Sequence, residues 1–397
     1  MSNPLLAASV VAALAGAASA ALPPSYEEAV IHARSSAGSS FNFPTSVSSF
    51  SDLDLANDGG ITFRGYRYVN YSGTNSIWYG TVQDGGQVVS STSDDVTKLN
   101  LAADGTPIWF KRGSTANTGF FTYENGAVTK VANAGGPAFN VGVTTRLQSG
   151  DILHYNSAGN DTLYRIDPVL GIPAPYFSGD TSGHNGFTPS SSFSHQGELS
   201  MVGFGFSGGK ELLRVAADGS VTTVAATATE FGGAFSGISN TTRIASNGTI
   251  AFQATPTGGS EGIFIADTSG TTTLIATRDI ASPLGLASIA SFGADVNAHG
   301  IALFRATGIG NSTEGLWIGD GVSLLEVIGV GDEITTDLGV TTITGLGGFA
   351  INDDNTILFE ARLASGGVGV FSIVAVPTPG AAGALAMGGL LAARRRR

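Results

Sequence analysis

The chain has 397 residues, of which 42% are hydrophobic, only 13% are charged and 57 are glycine. Helix-favouring residues are scarce and turn-forming residues are abundant, which favours an all-β fold built from short strands. The net charge of −12 argues against nucleic acid or anionic lipid headgroups as partners. Because the chain has no cysteine, disulfides, thiolate zinc sites and cysteine nucleophiles are excluded.

The first predicted element is a signal peptide over residues 1–20. Residues 5–20, LLAASVVAALAGAASA, form an apolar stretch that ends in the small-x-small pattern ASA. No lysine or arginine precedes Leu5, so a buried N-terminal helix is the alternative. Pro23 and Pro24 break the run directly afterwards, which favours an export signal cleaved near Ala20.

A short motif then recurs seven times along the chain. Its clearest copies are IASNGTIAFQA (244–254), VNAHGIALFRA (296–306) and INDDNTILFEA (351–361). Four places after the turn glycine, or after Asn355 in the last copy, stands a large residue: Phe63, Trp109, His154, Met201, Phe252, Phe304 and Phe359. These residues follow one another at intervals of 45 to 55 residues. A four-stranded β-propeller blade takes roughly 40–50 residues, so the repeat predicts seven blades.

Each part of the motif has a structural reason. Glycine and asparagine tolerate the positive φ that a tight hairpin requires. Two adjacent apolar residues, such as Leu303 and Phe304, point to opposite faces of a strand, so the motif strand should be buried on both sides. We therefore expect Phe252, Phe304 and Phe359 to be buried between adjacent blades.

The two ends of the repeat domain are predicted to meet. A second apolar run follows the motif run in all seven repeats, and a third run follows in the first six. The seventh repeat has no third run. Residues 27–38 resemble residues 272–285, so Ala29–Ala33 should be the outer strand of the last blade and pair with Val368–Val374. Residues 21–375 are thus predicted to form one closed, seven-bladed β-propeller without exposed terminal edges. A solenoid or two separate β domains are the alternatives.

The repeat resembles that of the bacterial NxxGxxAF tandem-repeat proteins, and the resemblance covers most of residues 22–374. Asn297, Gly300, Leu303 and Phe304 match the pattern best, whereas Ala56 and Ala245 replace its first asparagine. The resemblance implies an exported protein with a C-terminal anchor and implies no particular activity.

The tail, residues 376–397, has three parts. Pro377-Thr378-Pro379 breaks the chain, thirteen small or apolar residues follow at 381–393, and the chain ends in Arg394, Arg395, Arg396 and Arg397. The apolar part is shorter than the roughly 20 residues of a membrane-spanning helix. A basic tail without fixed structure is the alternative. The plan resembles a PEP-CTERM-type sorting signal, with Thr378 where that family has Glu. The resemblance implies an exosortase-type processing enzyme as partner, transient contact with the inner membrane and a cell-surface or extracellular location.

No catalytic constellation is evident, and neither a cofactor nor a metal is predicted. No paired histidines or Gly-x-Ser-x-Gly elbow occur. Asp52, Asp54 and Asp58 lack the other features of a calcium loop and should be solvated turn residues. The weak candidates for ligand binding lie in connections that follow the outer strands: Asp95, Asp180, His184, Glu230, Asp279 and Asp332. They could form a ring at the channel mouth for a cation or a sugar, or each acid could cap its own turn.

Two functional hypotheses remain open. The first is a non-catalytic binding or structural propeller of the extracellular matrix, supported by the regular repeat and the tail. The second is a lyase or hydrolase that acts on extracellular polysaccharide through acids on one face. Since propellers serve in both roles, the fold does not decide between them.

Overall fold

The computed structural model describes residues 21–35, 43, 47–69, 72–113, 118–133, 141–157, 161–167, 169–178, 184–190, 192–194 and 196–376. The predicted signal peptide, the tail from Pro377 through Pro379 to Arg394–Arg397, and the candidate Asp180 lie outside these residues. In the described part of the chain, no helix is long and apolar enough to cross a membrane.

Six four-stranded antiparallel sheets follow one another along the chain, and each is a meander of consecutive strands. Blade 1 consists of β2 (Ser49–Leu55), β3 (Gly60–Val69), β4 (Ser72–Thr81) and β5 (Gly85–Thr92), and blade 2 of β6 (Asp95–Leu101), β7 (Pro107–Arg112), β8 (Gly119–Glu124) and β9 (Ala127–Ala132). Blade 3 consists of β10 (Val141–Arg146), β11 (Ile152–Asn156), β12 (Thr162–Ile166) and β13 (Pro173–Ser178), and blade 4 of β14 (Phe187–Pro189), β15 (Leu199–Phe204), β16 (Lys210–Val215) and β17 (Val221–Ala226). Blade 5 consists of β18 (Phe235–Ile244), β19 (Ile250–Pro256), β20 (Gly262–Ala266) and β21 (Thr272–Thr277), and blade 6 of β22 (Ser288–Val296), β23 (Ala302–Thr307), β24 (Gly315–Gly319) and β25 (Leu324–Gly329). A single turn, α1 (Ala228–Phe231), connects blades 4 and 5.

The seventh blade joins the two ends of the domain. Its strands are β26 (Glu333–Thr336), β27 (Gly339–Ile351), β28 (Ile357–Leu363), β29 (Val368–Ile373) and β1 (Val30–Arg34). Strand β1 pairs antiparallel with β29, with Val30 opposite Ser372. The chain is therefore a closed seven-bladed β-propeller, and the predicted pairing of the two ends is confirmed. The sequence did not predict β26, which forms a hairpin with the first half of β27.

Side chains reinforce this closure. The His32 ring lies 2.8 Å from Ser372 Oγ on the neighbouring strand. Arg34 donates two hydrogen bonds to Asp337 in the β26–β27 hairpin, at 2.9 and 3.0 Å. Both partners of this ion pair are largely buried. A bidentate guanidinium–carboxylate pair fixes direction as well as distance, so the extra hairpin holds β1 in its place at the edge of the blade.

The motif strand is the second strand of every blade. Its turn residue has positive φ in all seven copies, from +62° at Asn355 to +92° at Gly248. The large motif residue that follows is almost fully buried each time, as predicted. In five blades its ring stacks on a ring of the next strand: Phe63 on Trp78, Trp109 on Phe121, His154 on Tyr164, Phe252 on Phe264 and Phe359 on Phe371.

The three best motif phenylalanines fill the spaces between blades, which confirms their predicted role. Phe252 packs with residues of blades 4 and 5, Phe304 with blades 5 and 6, and Phe359 with blades 6 and 7. His154 occupies the same place in blade 3, where burial lowers the pKa of its ring to about 4. It is therefore a neutral packing residue at pH 7.

The two faces of the ring differ in what they carry. The lower face, as we call it, carries the turn between the first and second strands of each blade and the turn between the third and fourth. The upper face carries the remaining hairpins and all connections between blades. Strand β29 runs towards the lower face and β1 runs away from it, and Val376 N–H donates to the Ser25 carbonyl at 2.9 Å. Both ends of the described domain therefore lie side by side at the lower face.

Candidate ligand site at the upper mouth of the axial channel

Four of the acidic residues predicted from sequence lie in the described part of the chain, and each of these four has a local partner: Asp95, at the start of β6, and Glu230, Asp279 and Asp332, in connections on the upper face. Asp95 forms an exposed ion pair with Arg112 at 3.9 Å. Glu230 accepts hydrogen bonds from the N–H groups of Ser207 and Gly209. Asp279 and Asp332 accept from the N–H groups of Ala281 and Gly329 in their own turns. The contacts of Glu230, Asp279 and Asp332 order loops, whereas that of Asp95 joins two paired strands.

His184 has a different environment. Its ring stacks on Phe231, and its Nε2 lies 2.9 Å from a Glu211 carboxylate oxygen. Both side chains border a groove of about 590 Å³ between blades 3 and 4, together with Tyr176 and Thr223. The groove is separate from the channel, so the structure does not bring His184 together with the predicted acids.

Seven residues face the axis of the propeller, and of these the sequence singled out only Asp54, for a different role. Each stands five places before the turn residue of its motif, and together we call them the channel ring: Asp54, Asn100, Thr145, Ser192, Arg243, Asp295 and Ala350. All seven line an axial cavity of about 90 Å³. Their shared position in the repeat was the signal that could have identified them.

Most polar members of the channel ring link their blade to the next one. Asp54 accepts a hydrogen bond from Leu101 N–H at 2.7 Å, and Asp295 accepts one from Ile351 N–H at 3.0 Å. Asn100 donates to the Thr144 carbonyl at 2.8 Å, and Ser192 donates to the Ile244 carbonyl at 3.3 Å. These hydrogen bonds therefore connect the first strand of one blade to the first strand of the next around the axis.

Asp54 was expected to be a solvated turn residue, and this expectation is wrong. Its carboxylate faces the channel, where burial raises its pKa although two N–H groups and the charge of Arg243 oppose the shift. Burial likewise raises the pKa of Asp295, although the charge of Arg243 and two backbone N–H groups lower it. Of the three neighbouring aspartates, Asp58 does have the predicted turn role, since it accepts from Gly60 N–H at 2.9 Å.

Above the ring, the channel opens into a pocket of about 560 Å³ between blades 6 and 7. We call it the mouth pocket. It is lined by the segment Gly345–Phe349, by Ala294 and by four charged residues: Arg243, Arg305, Arg362 and Glu314. The irregular pairing of β27 with β28 between Leu346 and Phe349 leaves Gly347 and Gly348 outside the regular ladder. The backbone is therefore accessible where side chains would otherwise fill the space.

Two carboxylates position the arginines of this pocket. Glu314 forms an ion pair with Arg305 at 2.7 Å. Glu360 lies behind the segment Gly345–Gly348, and burial raises the pKa of its carboxyl. The Gly348 N–H group and the charges of Arg362 and Arg305 act in the opposite direction and lower this pKa. The surface that faces the pocket therefore carries three guanidinium groups and one carboxylate. Among the described residues, no group of three or more histidine, aspartate or glutamate side chains could hold a metal ion.

Comparison with known proteins supports the fold. No protein-family model matches the chain, and no curated protein sequence matches it. Two solved structures each give a TM-score of 0.51: an acylaminoacyl peptidase from Pyrococcus horikoshii (12% identity, 82% of this chain and 51% of that one) and a puromycin-hydrolyzing peptidase from Mycobacterium tuberculosis (9% identity, 84% and 54%). The chain thus spans about half the length of either peptidase.

A virginiamycin B lyase from Staphylococcus aureus is also similar, with 16% identity, a TM-score of 0.43 and coverage of 81% of this chain and 94% of that one. All these identities are low, so the likenesses concern the fold alone.

Proposed function

We propose that this chain is an exported, cell-surface or extracellular-matrix propeller that binds polysaccharide non-catalytically in the mouth pocket. The proposal rests on the pocket, which combines planar charged side chains with the glycine-rich segment Gly345–Gly348. Guanidinium and carboxylate groups present several donors and acceptors in fixed directions, which suits ligands that carry many hydroxyl groups. The size of about 560 Å³ is within the range of small-ligand pockets.

The position of the chain ends supports surface display. Both ends of the described domain lie at the lower face, whereas the mouth pocket opens on the upper face. A C-terminal anchor would therefore hold the pocket away from the membrane, where a matrix polymer can reach it. The tail would serve only in sorting by an exosortase-type enzyme.

Binding at the mouth pocket can be tested by a substitution that fills the pocket with a larger side chain. A Cβ atom added at Gly345 would have only ordinary contacts, with the Arg362 side chain at 3.5 Å or more, so Gly345→Leu should fold and fill the pocket. We expect it to weaken binding to alginate, polygalacturonate or dextran at least about tenfold in calorimetric titrations, equivalent to about 1.4 kcal/mol. Gly237→Leu is the matched control, since nothing lies within 4 Å of its added Cβ.

Equal binding by both glycine variants would place the polysaccharide elsewhere on the molecule, and no binding by the parent chain would refute the proposed function. Product analysis of the same mixtures tests the enzyme alternative, in which a lyase or hydrolase would act through Glu314, the carboxylate that lines the pocket. New reducing ends, or unsaturated sugars in the case of a lyase, that disappear in Glu314→Gln would establish catalysis in place of binding.

The sorting proposal predicts a change at the C-terminus. Replacing Arg394, Arg395, Arg396 and Arg397 with glutamine should impair membrane retention and tail removal, because cytoplasmic basic residues hold a short apolar segment in place. The melting temperature of the purified propeller should stay unchanged. Mass spectrometry of the protein from its native host, with and without the exosortase, provides the measurement. An uncleaved chain ending at Arg397 in both strains would contradict the sorting role.

A further inference from the structure

Arg243 differs from four of the five other polar members of the channel ring. Asp54, Asn100, Ser192 and Asp295 each bond to the backbone of the next blade. Arg243 lines both the axial cavity and the mouth pocket, and its guanidinium makes no hydrogen bond or ion pair with any described residue. A guanidinium has five N–H donors, so the donors of Arg243 are available to a ligand in the channel.

The two ring aspartates attract Arg243 through space but are already bonded elsewhere. Asp54 binds the N–H groups of Leu55 and Leu101, one with each carboxylate oxygen. Asp295 binds those of Val296 and Ile351 in the same way. The carboxylates are thus fixed by the backbone, and Arg243 interacts with them only as a nearby opposite charge.

The charge of the mouth pocket is opposite to that of the whole protein. Three of its lining residues are arginines and one is a glutamate, giving +3 − 1 = +2 on the surface that faces the ligand. The chain as a whole carries −12. Arg305 is already paired with Glu314, and Arg362 is exposed at the rim. Arg243, at the floor of the pocket, is therefore the cation best placed to pair with an anionic group that enters from above.

We propose that Arg243 binds the carboxylate of an acidic sugar unit through two parallel N–H···O hydrogen bonds. The planar guanidinium fork matches a carboxylate in geometry and charge, which a lysine would not do. The inference deepens the proposed polysaccharide binding and rests on it, since it names a uronate as the recognised unit. The glycine-rich segment Gly345–Gly348 would contact the sugar ring while Arg243 holds its carboxylate.

Binding of a uronate should be coupled to proton uptake. A second negative charge beside Arg243 disfavours ionisation of the buried carboxyls around it, so these groups should take up protons as the ligand binds. The charged groups near Arg243 come from several elements: Asp54 on β2, Asp295 on β22, Arg305 on β23, Glu314 before β24, and Glu360 and Arg362 on β28. Affinity should consequently rise as the pH is lowered.

The test compares trigalacturonate with its methyl ester, which has the same sugar rings without the charge. By isothermal titration calorimetry, the full propeller should bind the acid at least about tenfold more tightly than the ester. Arg243→Gln should remove this preference and the proton uptake, measured in buffers of different ionisation enthalpy. Arg243→Lys keeps a cation opposite Asp54 and Asp295, so it should fold normally and still lose most of the preference. Arg278→Gln, in an exposed pair with Glu261, is the charge-matched control and should change nothing.

The outcomes separate the two proposals. Equal binding of acid and ester, or an unchanged preference in Arg243→Lys and Arg243→Gln, would overturn the role of Arg243 and leave polysaccharide binding intact. Failure of every polysaccharide and oligosaccharide to bind would overturn both.

Discussion

Removal of residues 21–35 is expected to lower the midpoint of thermal unfolding by at least about 10 °C and to cause aggregation. The deletion takes away β1, so the backbone groups of β29 between Gly369 and Ser372 lose their partners. It also removes the bond from His32 to Ser372 and the ion pair between Arg34 and Asp337. Calorimetry and light scattering on the truncated propeller measure both effects.

A peptide of residues 21–35 added in trans should restore part of the lost stability, because it can occupy the vacant edge of the blade. Arg34→Gln is the narrower control: it breaks the link to the hairpin but keeps the strand. A truncated chain that stays monomeric with an unchanged midpoint would show that β1 does not stabilise the closed ring.

Phe304→Ala should lower the free energy of unfolding by about 3–5 kcal/mol. Phe304 is fully buried between blades 5 and 6 and pairs with Trp317 of the next strand. Truncation to alanine removes apolar surface and leaves a cavity that the surrounding strands can close only in part. Urea unfolding followed by tryptophan fluorescence gives the free energy.

Val322→Ala is the control for this measurement. Val322 lies in a hairpin at the lower face and is 76% exposed, so its truncation should change stability by no more than about 0.5 kcal/mol. A similar small change in Phe304→Ala would mean that the motif phenylalanine contributes little to packing between blades.

The fold could be predicted because its determinants repeat along the chain. Turn glycines, or Asn355 in the last copy, need positive φ at the same place in each blade, and the large residue four places later needs burial. Closure could be predicted because one strand was missing at one end and surplus at the other. Strand β26 escaped prediction because nothing in the other repeats corresponds to it, and its short EITT sequence has no distinctive pattern.

The candidate site could not be predicted in the same way because it depends on what differs between blades. The channel ring holds Asp, Asn, Thr, Ser, Arg, Asp and Ala at one repeat position, so it leaves no recurring letter in the sequence. The mouth pocket combines Arg243 of blade 5, Arg305 of blade 6 and Arg362 of blade 7, which only the ring geometry brings together. The acids that do recur follow the outer strands, where they order turns.

The pairing of β1 with β29 also sets the order of events in folding. His32 and Ser372 are separated by 340 residues, so the first strand of the propeller has no partner until nearly the whole domain has emerged. Contacts between such distant residues carry the largest loop-closure entropy and form late. The six blades built from consecutive strands can form earlier, with the edge of β29 open. We therefore expect ring closure to be the last step of folding, before which an incomplete propeller exposes one strand edge to its neighbours.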